Sequence, residues 1–247
     1  MFGFLSRLLL FSLIAITAAS CRTIYYSPNS QNVPLLSEKN QLKVQGGVGY
    51  GEEAGRAEGQ LAFALTNHLG LMANYARYSE KGDSETLDNG QLMELGLGYS
   101  QMIFENKENL DLKVIWDVYG GHGFGRATVY PDNYEVSYTL NRTFLQPAIG
   151  FETSYFDVAL SCRTAYADFG NFPDFSNPFL NPSYDYDLNR YDKHVLIEPA
   201  LTTKVGYKFI KLQSQVIYSN TINSDLPQDH FVFSYMLSFD LTVMFRK

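Results

Sequence analysis

The end of the chain constrains the fold most. Phe231, Phe233, Tyr235, Leu237, Phe239, Leu241, Val243 and Phe245 occupy every second position, with Ser234, Met236, Ser238, Asp240, Thr242 and Met244 between them. A period of two places all the bulky apolar side chains on one face of an extended strand. No helix produces that pattern, so the segment belongs to a sheet with one face against something apolar. The same period recurs from Leu42 onward. It is clear in Leu61–Phe63–Leu65, Leu69–Leu71–Ala73–Tyr75, Met93–Leu95–Leu97–Tyr99, Leu112–Val114–Trp116–Val118 and Leu145–Pro147–Ile149–Phe151. It returns in Phe156–Val158–Leu160–Cys162, Val195–Ile197–Pro199–Leu201 and Ile210–Leu212 with Val216–Tyr218.

The opposite face decides between a soluble fold and a membrane fold. It carries Glu94, Lys113, Asp117, Asp157, Arg163, Glu198, Lys211 and Asp240 among Gly, Ala and Ser. In a soluble barrel or sandwich the apolar face is the inner one. Small residues with both signs of charge suit a narrow interior instead, and bulky Leu, Phe, Val and Tyr suit a lipid-facing exterior. Connector lengths agree. Short connectors at Asn67–His68, 104–109, 152–154 and 205–208 alternate with long ones at 79–90, 121–140, 168–193 and 219–230, the first on that side, 51–56, being only modest. Transmembrane barrels alternate short periplasmic turns with long extracellular loops in this way. The expected fold is all-β, an antiparallel up-and-down transmembrane β-barrel of about ten strands over residues 41–247. Pro147 and Pro199 are expected at bulges or strand ends, because proline removes a ladder donor.

The N-terminus reads as a secretory signal over residues 1–20, with Arg7 ahead of an apolar stretch from Leu8 to Ile16 and a small-residue site. Ala18-Ala19-Ser20-Cys21 resembles the bacterial lipobox, which implies cleavage before an acylated Cys21. The other reading is an ordinary signal cut after Ala19 or Ser20, leaving Cys21 free. Residues 21–40 lack a sustained period and read as an extended periplasmic tether. Cys162, on an apolar strand face, reads as a small structural side chain. The excess of 26 acidic over 19 basic residues argues against nucleic acid as a partner. Abundant Tyr and Phe, 18 of each, suit the aromatic girdles of a membrane barrel.

In these features the chain resembles the small outer-membrane β-barrels of Gram-negative bacteria. The strand ending at Phe245 is similar to the C-terminal strand that the barrel assembly machinery recognises, although Arg246 and Lys247 follow it. Cys21, Tyr25-Tyr26-Ser27-Pro28-Asn29 and Pro34-Leu35-Leu36 resemble the start of Bacteroidota barrel lipoproteins. Surface-exported members carry an acidic run after the cysteine. Arg22-Thr23-Ile24 has none, which the resemblance reads as an anchor in the inner leaflet. The implied location is the cell outer membrane, with its lipid and the assembly machinery as partners.

Some barrels of this size are enzymes, with His and an acid at the outer rim. The candidates here are His122, in the glycine-rich Gly120–Gly125, His194 near Asp192, and His230 after Asp229. Such a pair activates water or a hydroxyl as a general base. The histidines are dispersed and lack ligand spacing, so no metal or cofactor is expected. The loop 168–193 interleaves aromatics, including Phe172, Phe175, Tyr184 and Tyr186, with Asp, Asn and Pro. It reads as a lid that packs on itself or as a ligand-binding surface. The functional expectation is a non-enzymatic outer-membrane barrel with a structural or surface-interaction role and a lumen plugged by side chains. The alternative is an outer-membrane hydrolase or lipid-modifying enzyme using a rim Asp–His pair.

Overall fold

The computed structural model describes residues 24–52, 55–79, 87–106, 111–129, 136–171, 192–222 and 226–242. The strands are β1 (Leu42–Tyr50), β2 (Gly55–Ala64), β3 (Leu69–Ser79), β4 (Leu87–Asn106), β5 (Leu112–Val129) and β6 (Val136–Glu152). They continue as β7 (Phe156–Gly170), β8 (Lys193–Tyr207), β9 (Ile210–Tyr218), β10 (Asn220–Thr221) and β11 (Phe231–Asp240). Neighbours pair antiparallel in chain order, and β11 closes onto β1 from Lys43↔Asp240 to Tyr50↔Phe233. The two-residue β10 continues β9 past Ser219 along β8, so the eleven segments make a closed barrel of ten staves. Closure leaves no sheet edge, as a lipid-spanning sheet requires.

Burial alternates along the staves as the period of two requires. Leu160 is 59% exposed and Leu212 56%, whereas Asp117, Arg163 and Glu198 are 0% exposed. The apolar face is therefore outward and the charged face inward. This is the arrangement of a transmembrane barrel. Outward Tyr99, Phe104, Phe151, Phe156 and Tyr207 ring the short-turn end, and Phe124, Tyr166, Tyr218 and Phe231 ring the long-loop end. Cys162 sits on the outer face between inward Ser161 and Arg163.

Three details differ from the sequence expectation. Strands β4, β5 and β6 extend further toward the long loops, and Gly120–Gly125 lies inside β5 rather than in a loop. The last strand stops at Asp240, where Thr242 N–H donates to Asp240 Oδ1 at 3.1 Å and turns the chain. Val243 and Phe245 lie outside the described residues. Both prolines sit within strands, opposite breaks in a ladder. The β6–β7 register lacks partners at Gln146 and Pro147, and the break between β9 and β10 lies opposite Glu198 and Pro199. A missing N–H costs little where no partner waits for it.

The largest correction concerns the segment read as a tether. Residues 24–36 are buried inside the barrel, and Asn29, Ser30, Gln31 and Asn32 are at most 2% exposed. At ~3.3 Å per residue an extended segment of this length reaches about 40 Å, enough to run the height of the barrel. Leu35 adopts φ 46° and Asn40 φ 64°, turning the chain back at the short-turn mouth into β1. Leucine in this region costs roughly 1–2 kcal/mol. Two bonds offset that cost: Leu35 N–H donates to Asp117 Oδ2 at 3.1 Å, and Lys43 Nζ donates to Leu35 O at 3.3 Å.

Small wall residues make the space. A Cβ at Gly150 would lie 2.4 Å from Leu35 Cδ1, and one at Gly70 2.7 Å from Leu36 Cδ1. Gly150→Leu is expected to displace Leu35 and destabilise the barrel by about 1–3 kcal/mol, as overpacking does. Lower resistance to unfolding on heated gels checks this, with Gly59→Leu as control, because a Cβ there meets nothing within 4 Å.

Candidate functional site

A segment threaded through a lumen has no ladder of its own, yet its backbone polar groups must be satisfied. Wall side chains take the place of neighbouring strands. Gln215 accepts the Gln31 N–H at 2.8 Å and returns a bond from Nε2 to Gln31 O at 3.0 Å. Its amide thus reproduces the double exchange of a β-bridge. Gln60 Nε2 donates to Ser30 O at 2.9 Å, Gln146 Nε2 to Asn32 O at 2.7 Å, and Arg163 Nη2 to Asn29 O at 3.0 Å. Tyr78 OH donates to Ser27 O at 3.0 Å, and the Ser30 N–H is shared between both oxygens of Glu58 at 3.1 Å. Gln215→Leu leaves two buried backbone groups of Gln31 unpaired, at about 1–3 kcal/mol each. The expected result is easier release of the segment, read as faster amide exchange at Gln31 and its neighbours.

At the centre lies a charge network reaching five elements. Glu94 on β4 accepts from Arg142 on β6 (Nε at 3.2 Å), and Arg163 on β7 stands 3.7 Å away. Arg163 also pairs with Glu198 on β8. Two groups of the N-terminal segment close the set. Asn29 Nδ2 donates to Glu94 Oε2 at 2.7 Å, and Tyr26 OH donates to Glu198 Oε1 at 2.6 Å while accepting from Arg142. Two guanidiniums thus face two carboxylates, and all four side chains are at most 1% exposed. Buried charges persist only when paired and further hydrogen-bonded, and this set meets both conditions.

The two mouths differ. The long-loop mouth is aromatic. Tyr25, Tyr138, Phe169 and Tyr26 pack with ring centroids 5.8–6.4 Å apart. The short-turn mouth opens into a polar cavity of about 360 Å³, lined by Lys43, Glu152, Asp157, Lys204, Lys211 and Asp240 among others. Lys43 pairs with Glu152 there, and Lys211 with Asp157 at 2.6 Å.

The histidines expected at the rim do not form one group. His122 lies on β5 and faces outward, bonded to Thr143 at 2.9 Å and packed edge-on to Phe124 in the aromatic ring. His194 is 1% exposed and meets the Phe169 ring edge-on at 5.4 Å. Asp192 is half-exposed and reaches Lys193 at 3.9 Å. His230 points outward, stacked on Tyr218 and bonded to Ser219 O, whereas Asp229 is fully buried and accepts the Glu52 N–H at 3.0 Å. Asp229 is buried and His230 exposed, so the two side chains point to opposite sides of the wall. No group of three metal-binding side chains exists among the described residues. Phe172, Phe175, Tyr184 and Tyr186 lie outside the described residues, and so does Cys21.

Arg142 and the luminal segment went unread in the sequence. Extending the alternation of β6 backward from Gln146 and Phe144 places Arg142 inward, so its signal was present. The segment carried a weaker one, in the hydrogen-bonding side chains of Ser27 and Asn29–Asn32.

No family model matches the chain, and no curated protein does. Among solved structures it is similar to Wzi of Escherichia coli, described as an outer membrane protein involved in Group 1 capsule assembly and a carbohydrate-binding β-barrel. The identity is 14% and the TM-score 0.21, over 76% of this chain and 52% of that one, so the chain spans about half the length of that protein.

Proposed function

We propose that the protein is a non-enzymatic outer-membrane barrel whose lumen is closed by its own N-terminal segment, serving a structural or surface-interaction role through its long loops. The observation that supports this reading is the buried luminal segment of residues 24–36, bonded to wall side chains along its length. A lumen whose buried cations and anions are engaged with a threaded chain has no free path for solutes. The outer membrane is the location that fits a lipid-facing barrel behind a secretory signal, since Gram-negative cells place closed barrels there. The barrel assembly machinery, reading the aromatic β11, is the partner this location implies.

Fractionation with gels run boiled and unboiled tests the location and the closed barrel together. The expected result is an outer-membrane band that migrates differently unheated, from a protein that is electrically silent in planar bilayers. A soluble band without a heat shift would overturn the membrane reading. Steady conductance from the intact protein would overturn the closed lumen.

A further inference from the structure

The luminal segment has a direction, set by bonds at both ends. At the long-loop mouth, Tyr25 N–H donates to Pro227 O at 3.0 Å and Asp229 N–H donates to Tyr26 O at 2.9 Å. At the other mouth, Lys39 N–H donates to Asn67 Oδ1 at 3.0 Å in the β2–β3 turn, and Asn40 N–H donates to Ala64 O at 2.9 Å. The chain therefore passes from the long-loop side to the short-turn side and only then begins the wall.

We infer that the mature N-terminus leaves the barrel on the long-loop side, so that an acyl group on Cys21 anchors in the outer leaflet, facing the medium. This rests on the reading of Cys21 as acylated and of the barrel as an outer-membrane protein. Chain reach decides the leaflet. Two residues separate Cys21 from Ile24, and the three Cα–Cα steps between them span at most about 11 Å. The apolar band of such a barrel is roughly 25 Å tall. An anchor in the inner leaflet lies beyond that reach while residues 24–36 occupy the lumen. The inner-leaflet anchor suggested by the absence of an acidic run is thus incompatible with the threaded segment. The barrel's own lumen carries the segment across, so the anchor and the long loops share one side.

The test uses the full-length protein in cells, with Cys162→Ser to remove the other thiol. Thr23→Cys marks the exit of the segment and Asn67→Cys marks the short-turn side, each probed with a membrane-impermeant maleimide before and after lysis. Labelled palmitate, compared with Cys21→Ala, reports acylation separately. The expected result is palmitate incorporation that depends on Cys21, with Thr23→Cys labelled fully in intact cells and Asn67→Cys labelled only after lysis. Labelling of Thr23→Cys only after lysis or denaturation would overturn the exit direction, whatever the palmitate result. Absence of palmitate, with the maleimide taken up at Cys21 itself, would overturn the anchor and the acylation reading while leaving the direction to Thr23→Cys. Loss of the heat-shifted band in the Cys162→Ser parent would overturn the barrel reading on which both stand.

Discussion

Deleting residues 24–36 is expected to turn a silent barrel into a conducting one. An extended chain occupies a column of roughly 5 by 10 Å, judging from strand and sheet spacings. Removing it leaves a lumen lined by Glu94, Arg142, Arg163 and Glu198, whose charges water then solvates. The inward glycines add no bulk to refill that column. Planar-bilayer recordings should show stepwise openings absent from the intact protein. The heat-shifted band should persist, because the wall ladders from β1 to β11 do not involve the deleted residues. A deletion variant that keeps its heat shift yet stays silent would mean that wall side chains close the lumen without the segment.

The second large effect is expected from Glu94→Ala. Glu94 is fully buried, accepts from Arg142, Asn29 and Asn74, and lies beside Arg163. Its removal leaves two buried guanidiniums with Glu198 as the remaining carboxylate of the network. Breaking a buried pair from one side costs about 3–5 kcal/mol, chiefly through the charge left behind. The temperature at which the folded band converts to the unfolded one should fall markedly. Glu94→Leu combined with Arg142→Met removes both charges and is expected to lose much less than Glu94→Ala alone. Equal losses in the two variants would show that Glu94 contributes packing rather than charge balance.

The wall was legible because lipid contact imposes a strict rule on it. A lipid-facing strand must alternate, and Leu95, Leu145, Leu160, Leu212 and Tyr235 fall outward where the period of two places them. The strand count and the inward charges follow from the same rule. What stayed hidden obeys no period. The backbone of residues 24–36 bonds to side chains scattered over β2, β6, β7 and β9, so no local pattern marks it as folded. Ser, Asn, Gln and Pro are also what a flexible tether contains, and composition alone reads the two alike. The long-loop ends of β5 and β6 were missed for a related reason. Gly120–Gly125 resembles a loop in composition, yet at Gly121 the absent side chain leaves room for the Phe144 ring. Phe144 and Tyr138 face inward in the long-loop half of β6, against the rule that bulky groups face lipid, because the luminal Tyr25 and Tyr26 form an aromatic core there.

Amide hydrogen exchange on the purified, heat-shifted protein tests the threaded lumen most directly. Tyr25, Ser30, Gln31 and Leu35 donate their backbone N–H groups to the barrel. The expected result is that these four exchange as slowly as amides in the middle of β7 and β8. Exchange at the rate of an unstructured peptide across residues 24–36, beside a protected barrel wall, would contradict it and place the segment outside the lumen as a free tether.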